Sequence, residues 1–536
     1  MQYFPDQGSP SRFNRYLITA IPLFYLVVTL IYSASQVPWG YQVDPESAYA
    51  MNGLVGALGH QFMKADHPGT TTILLVAILA RVWAFVAGSR DVVEFGLKNY
   101  DGLIYAARTA EAVILSSVLL ACGFIVRRAT QSSIAAMLFQ VGPFVHPDTY
   151  HFAMVLIPES LMVSFALLGM ALSIKAALGK EPPSAASGAA LGSICAFGLA
   201  SKYLYLALVP LVVSLLRNWK AVAAAVFCAV FVFFVFIRVF CPLVFSAGFH
   251  WLVRLATHKG VYGHGESGFV DLSTFWSNMA EILRSAPLVC GIFVAGAIAA
   301  LLQMARTRRV LDPVSLTLLA AAFAFLLQLV ATSKHFALHY MMASWVLAGG
   351  VLVLAVIEVQ RLLPRLSSRA ITSIAALCCA FLIVTTLLDV RHDALVEMAA
   401  DRNGAKLSQI IVSTAPACAN VSRMFVRAPE NEMNHGGDMA LGLPELANRF
   451  SEAYVHTHAA ALLDDKVYGP NVLYKNFHPY SYAKLATEYP CIVIRSARPL
   501  TGPQDLFELK PDHCMIDGIH VYTVGLACKV LQSAAA

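Results

Sequence analysis

Two short stretches near the amino end hold the residues best suited to chemistry. Asp44 and Glu46 flank Pro45 in "DPESAYAMN", and Asp66-His67 follow in "ADHPGTT". A carboxylate at a membrane surface can take the proton of an incoming hydroxyl or amine. An Asp-His pair can touch phosphate or contribute to a divalent ion, although a metal needs further ligands. The alternative is an ordinary loop whose acids stay in water. "HPGTT" leads straight into an apolar segment, which ties the loop down at both ends.

Further polar clusters interrupt apolar sequence downstream. The turn "VHPDTYHFAMVLIPES" holds His146, Asp148, His151 and Glu159. Glu159 follows Pro158 and fits a helix-start acid. An acid facing the inside of a membrane bundle is costly unless it is used, which is the functional reading. Lys202 and Tyr203 begin another apolar run, where such a pair anchors a helix at the interface. The loop "RLATHKGVYGHGESGFVD" alternates glycines with Arg254, His258, Lys259, Tyr262, His264 and Glu266. Glycine-rich backbone cradles phosphate and Lys or Arg adds charge; it also makes a flexible surface loop. The G-x-x-x-x-G-K-[ST] pattern is absent. Finally, "TSKHFALHYMMAS" places Lys334, His335, His339 and Tyr340 at the mouth of an apolar run. His335 and His339 stand at i and i+4, a spacing that predicts one helical face. They read either as a basic interfacial cap or as a metal-competent pair that lacks the H-E-x-x-H pattern.

These clusters need a scaffold, and composition names its class. The chain has 536 residues, 58% hydrophobic and 13% charged. A soluble domain carries roughly 25% charged residues. Half that density in long runs predicts a mainly α, polytopic helical membrane protein. About eleven spans are expected, near 16–34, 109–126, 131–146, 158–177, 185–200, 203–216, 221–246, 286–304, 313–332, 338–358 and 370–389. The first reads as a retained helix rather than a cleaved signal. The net charge of +6 bears on topology and implies no nucleic-acid partner.

Segment 70–88 is apolar but carries Arg81. Suppose Arg12 and Arg15 are cytoplasmic. If 70–88 does not cross, Arg127-Arg128, Lys175/Lys180, Arg217/Lys220, Arg306/Arg308/Arg309 and Arg361/Arg365/Arg369 share that side. If it crosses, they all flip outward. The positive-inside rule therefore predicts an interfacial or re-entrant helix. Loop 35–108, turn 147–157, loop 247–285 and everything after Asp389 then face outward. Residues 1–390 read as the membrane domain and 391–536 as a small extracytoplasmic α/β domain. Strand-like runs there include "CIVIRS" and "HVYTVGL". Cys418, Cys491, Cys514 and Cys528 lie in it and can form two disulfides in an oxidising compartment, with three connectivities open.

The order of these features resembles the polytopic GT-C glycosyltransferases, in particular the bacterial protein O-mannosyltransferase and lipid A aminoarabinose transferase type (glycosyltransferase family 39-like). The resemblance rests on "DPESAYAMN", then "ADHPGTT", an interfacial helix, Arg108 in "YAARTAEAV", the basic pair Arg127-Arg128 and "GLASKYLYLALVP". It covers residues 16–216 by motif and the rest by architecture. Pro45 separates two acids that are usually adjacent in the family, and Pro68-Gly69 replaces its Pro-Pro. The resemblance implies an inverting hexosyl or pentosyl transferase of a bacterial inner membrane, whose donor is a polyprenyl-phosphate-linked sugar. Asp44 matches the catalytic acid, with Glu46 beside it. Asp66 and His67 match a second acidic/basic pair that holds a divalent ion or contacts phosphate; Asp148 and Glu159 are further acidic candidates for that ion. Arg108 and Lys202 carry over as donor-binding groups, and Lys334, His335, His258 and Lys259 suit the donor phosphate. Metal dependence and the acceptor, whether lipid, glycan or protein, stay open. The rival readings are a flippase or transporter of a lipid-linked substrate, and a non-catalytic envelope assembly protein. A transporter predicts charge pairs at the bilayer midplane and broken repeated helices; neither is evident here.

Overall fold

Lipid offers the backbone no hydrogen-bond partner, so apolar segments of this length must close their own bonds as helices. The computed structural model describes residues 12–34, 46–63, 69–179, 182–214, 216, 218–259, 265–308, 312–423, 444–457, 462–465, 472–475, 478–496, 499 and 509–535. It has the helical membrane architecture with a small carboxy-terminal sheet that the sequence predicts. Among the described residues seven helices are long and apolar enough to cross a membrane, or eight if the bent pair Leu338–Trp345 and Ala348–Leu362, which turns by 42°, is one span. Several expected spans are shorter pieces. Segment 131–146 is the Ser133–Gln140 helix followed by the tight turn Gly142–Phe144, because Pro143 and Pro147 cannot continue a helix. Segment 203–216 begins as the 3-10 turn Tyr203–Leu208 and ends as Val209–Val213, with Pro210 in its first turn. The Thr70–Val86 helix has 17 residues, fewer than the roughly 20 a span needs.

The chain forms two compact units. The first takes residues 1–32, 65–72 and 108–391. Its Trp219–Phe240 helix turns Phe227, Val230, Phe231 and Phe234 outward, an apolar face suited to lipid. Its inner side packs on the Ala185–Ser201 helix at backbone contact. A Cβ on Gly188 or Gly192 would lie 2.1 Å from the carbonyl oxygen of Ala221 or Ala225. Small residues at i and i+4 let two membrane helices approach in this way. The 22-residue Pro313–Lys334 helix spans about 33 Å, a bilayer core's thickness. At its start, Asp312 and Ser315 meet Glu358 and Arg361 of the Ala348–Leu362 helix. Ser315 Oγ donates to Glu358 at 2.8 Å, and Arg361 Nη1 lies 3.3 Å from Asp312 Oδ2. Lys334 and His335 stand at its other end.

The second unit takes residues 33–64, 73–107 and 392–536. Its sheet has the order β4-β3-β2-β1-β5-β7-β6: β1 Ala419–Arg423, β2 Leu462–Asp465, β3 Val472–Lys475, β4 His478–Tyr480, β5 Ile492–Ser496, β6 Asp512–Ile516 and β7 Ile519–Val524. β1 pairs in parallel with β2 and β5; the outer pairs are antiparallel. The two strand-like runs read from the sequence are β5 and β7. Register resolves the disulfides. Ala419 faces Ile492, so the residues just before them meet as Cys418–Cys491. Cys514 of β6 pairs with Cys528 at the start of the Cys528–Ala535 helix. The β6–β7 turn runs through Asp517 and Gly518 at φ 48° and 81°, as a two-residue hairpin with right-handed twist requires. The Val92–Lys98 helix packs on the Pro444–Thr457 helix, with Arg449 Nη2 3.6 Å from Asp91. Arg81 donates to the Ala57 carbonyl at 2.6 Å, so its guanidinium binds the end of the Glu46–Ala57 helix.

Gly192→Val forces a methyl-bearing Cβ into the Ala225 carbonyl. It should lower unfolding stability in detergent by about 3 kcal/mol, measured as a reduced thermal midpoint. An unchanged midpoint would show that the two helices separate freely.

Candidate functional site

The first unit contains a buried ion pair beside an apolar cavity. Glu159 occupies the first turn of the Pro158–Leu178 helix and is 0% exposed; Lys202 ends the Ala185–Ser201 helix and is 3% exposed. Lys202 Nζ donates to Glu159 Oε1. Neither residue behaves as an exposed interfacial group. Lys202 points into the protein because its helix stops at Ser201 and its own backbone turns extended, at φ −154° and ψ 139°. His339 approaches the same carboxylate from the 3-10 turn Leu338–Met341, with Nε2 3.8 Å from Oε1. The Lys202 ammonium also sits 4.7 Å from the centre of the Tyr340 ring, a favourable cation–π position.

The cavity measures about 320 Å³ and is lined by Lys202, Tyr203, Trp251, Leu255, His335, Tyr340 and aliphatic side chains. That is the low end of the usual range for ligand sites. Tyr203 and Trp251 stack along one wall at 6.4 Å. Apart from Lys202 and His335 the lining is almost wholly apolar, which suits a hydrocarbon chain with an anionic end.

His335 and His339 do not share a helical face. The Pro313–Lys334 helix stops at Lys334, and His335 caps it in a non-helical conformation. The two rings therefore take separate tasks. A carbonyl only accepts, so the His335 contact with the Leu255 oxygen at 3.1 Å puts a proton on Nε2. Its Nδ1 is buried and has no hydrogen-bond partner among the described residues. Burial holds this imidazole below the usual histidine range. Lys334 Nζ donates to the Ala256 oxygen at 2.6 Å and lies over the Phe269 ring. Both side chains thus bind the last carbonyls of the Ala247–Thr257 helix, the end that attracts cations.

The other candidates divide between the units and the undescribed residues. Asp44, Asp66 and His67 lie outside the described residues, as does the centre of the glycine-rich loop. At the flanks of that loop His258 forms an isolated antiparallel bridge with Ser267, and the Lys259 amide donates to the Glu266 carbonyl. His258 and Lys259 do not line the cavity. Asp148 opens the Pro147–Phe152 helix, and its amide donates to His146 Nδ1 at 3.2 Å. His151, on the same helix, meets the Tyr32 hydroxyl at 3.1 Å. Burial and nearby Arg108 lower the His151 pKa to about 4. Arg108 is fully buried in the Tyr100–Thr130 helix. One turn further on is Glu111, a buried acid that the motif reading passed over; its Oε1 accepts from Thr72 at 3.1 Å. The available signal was an acid inside an apolar span, three residues after an arginine. Glu46 is fully buried at the start of its helix in the second unit, where an acid is favoured by the helix dipole. Among the described residues no group of three or more His, Cys, Asp or Glu side chains forms a metal cluster.

Lys202→Met strands the Glu159 carboxylate in the interior and should lower stability by about 3–5 kcal/mol. Adding Glu159→Gln removes the remaining charge and should recover most of that loss. Chemical unfolding of the single and double variants in detergent measures both. A single variant as stable as the parent would mean the pair contributes nothing.

No protein-family model matches this sequence, and no curated protein matches it. The fold is similar to the crystal structure of ArnT from Cupriavidus metallidurans bound to undecaprenyl phosphate, at 14% identity over 94% of this chain and 98% of that chain, with a TM-score of 0.48. ArnT from the same organism in the apo state matches at 13% identity over 96% and 98%, also at 0.48.

Proposed function

We propose that this protein is a membrane glycosyltransferase that moves a sugar from a polyprenyl-phosphate donor to an acceptor on the outer face of the membrane. The observation that carries the reading is the apolar cavity with an ammonium and an imidazole in its wall. An isoprenoid chain packs against such a lining as it does among lipid tails, and its phosphate gains from cations held in a poorly hydrated place. Of the cations proposed for the donor, Lys202 and His335 line this cavity, which favours them as the phosphate contacts. Lys334 stands next to them, engaged with the Ala256 carbonyl. The glycine-rich loop with His258 and Lys259 is left for a looser role.

In the proposed reaction an acceptor hydroxyl or amine attacks the anomeric carbon. Asp44 takes its proton, and the bond from that carbon to the phosphate oxygen breaks. The electron pair stays on the leaving phosphate, whose oxygen Lys202 Nζ meets with a hydrogen bond. The anomeric configuration inverts in this single displacement. A divalent ion held by Asp66 and His67 would add Lewis-acid assistance at phosphate.

Asp44→Asn should abolish transfer while leaving folded, membrane-inserted protein. Sugar transfer in membranes supplied with lipid-linked donor measures it, and full activity would end the assignment of Asp44. A second outcome follows from His335. A bound phosphate favours the imidazolium, so the imidazole pKa rises on binding from its lowered value. Donor affinity is then greatest below the pKa of the free protein and falls as pH rises through that of the complex. KM for donor should increase with pH in this window, and His335→Gln should flatten the dependence.

A further inference from the structure

We infer that Glu159 is a positioning residue that acts through Lys202 to weaken the cavity's hold on phosphate, so that the spent lipid phosphate can leave. This rests on the reading that the cavity takes a polyprenyl phosphate. Lys202 lines the cavity, whereas Glu159 does not; the carboxylate stands behind the ammonium, sealed from solvent. The two charges meet in a direct hydrogen bond. Glu159 Oε2 accepts no hydrogen bond among the described residues. His339 lies against the other oxygen, its ring packed between Phe152 and Tyr340 with centroids 4.4 Å away on each side. The carboxylate therefore faces two basic side chains, and its charge is spent mainly on Lys202.

The charges of the two lipid phosphates give this arrangement a purpose. A sugar-bearing lipid phosphate is a diester with one negative charge. Loss of the sugar leaves a monoester with about −1.5 to −2. An uncompensated ammonium in an apolar wall would hold the monoester more tightly than the diester, and product would accumulate in the site. With the Glu159 charge in contact, the pair is close to neutral. Phosphate of either charge is then held by hydrogen bonds to Nζ more than by net attraction, and the difference between product and donor shrinks. A plain structural ion pair would contribute stability and leave this difference alone.

The test uses the full-length protein in nanodiscs and a polyprenyl monophosphate as probe, with affinity measured by calorimetry at fixed pH and salt. Glu159→Gln keeps the shape and removes the charge. It should lower thermal stability yet bind the monophosphate about tenfold more tightly, with stronger product inhibition and a reduced kcat. Unchanged or weaker binding overturns the proposal. If Glu159→Gln does not fold, Glu159→Asp draws the charge back from Lys202 and should tighten binding by a smaller factor, about threefold; no tightening overturns it equally. A parent protein that does not bind the monophosphate sinks the donor reading, and this proposal with it. Binding by the parent without tightening in either variant sinks the role of Glu159 alone.

Discussion

The contact on which the candidate site depends is the buried hydrogen bond between Lys202 and Glu159. Two full charges away from water are expensive apart and tolerable only in contact. That requirement fixes where three elements meet: the first turn of the Pro158–Leu178 helix, the end of the Ala185–Ser201 helix and the 3-10 turn that carries His339 and Tyr340. Two helix ends set the directions of the charges. Pro158 starts one helix with its acid turned inward, and the extended backbone at Lys202 stops the other with its amine turned toward that acid.

A second constraint is the length of the Pro313–Lys334 helix. Its start belongs to the cluster of Asp312, Ser315, Glu358 and Arg361, and its end to Lys334, His335 and the cavity wall. A helix of this length keeps the two polar groups a bilayer's thickness apart. Arg306 supports the first cluster by donating to the Leu362 carbonyl at 2.6 Å, much as Lys334 and His335 bind the end of the Ala247–Thr257 helix. Basic side chains at helix carboxyl ends thus do structural work at both places. The same residues read from sequence as a phosphate clamp or an interfacial cap. Geometry separates them: both reach the helix end, and of the two His335 also lines the cavity.

The second unit is built on other terms. Its sheet is small, and two disulfides tie its strands to their neighbours. One joins the starts of the parallel strands β1 and β5, and the other encloses the β6–β7 hairpin. Covalent closure limits the unfolded chain and offsets what a small core lacks. Fully buried Arg495 on β5 donates to the Gly404 carbonyl of the long Ser368–Thr414 helix at 3.4 Å, which fastens the sheet to helical residues of the same unit.

The sequence by itself determined the class of the molecule, because lipid tolerates so few backbone solutions that composition and run length suffice. It also marked the charged and imidazole groups that line or back the cavity, Lys202, His335, Glu159 and His339, since a charge beside an apolar run is rare enough to stand out; Trp251 and the aliphatic lining carry no such signal. It named β5 and β7 from their apolar, β-branched runs, and left the cysteine partners open because pairing depends on strand register. Only the tertiary structure decided which marked residues meet. Glu159 and Lys202 lie 43 residues apart, and nothing local pairs an acid on one helix with an amine at the end of another. The spacing of His335 and His339 predicted a shared face, and the helix end at Lys334 removed it. Glu111 escaped notice because its partner, Thr72, lies on a different segment. Spacing reports on neighbours along one element; the contacts that set charge and specificity join elements that only packing brings together.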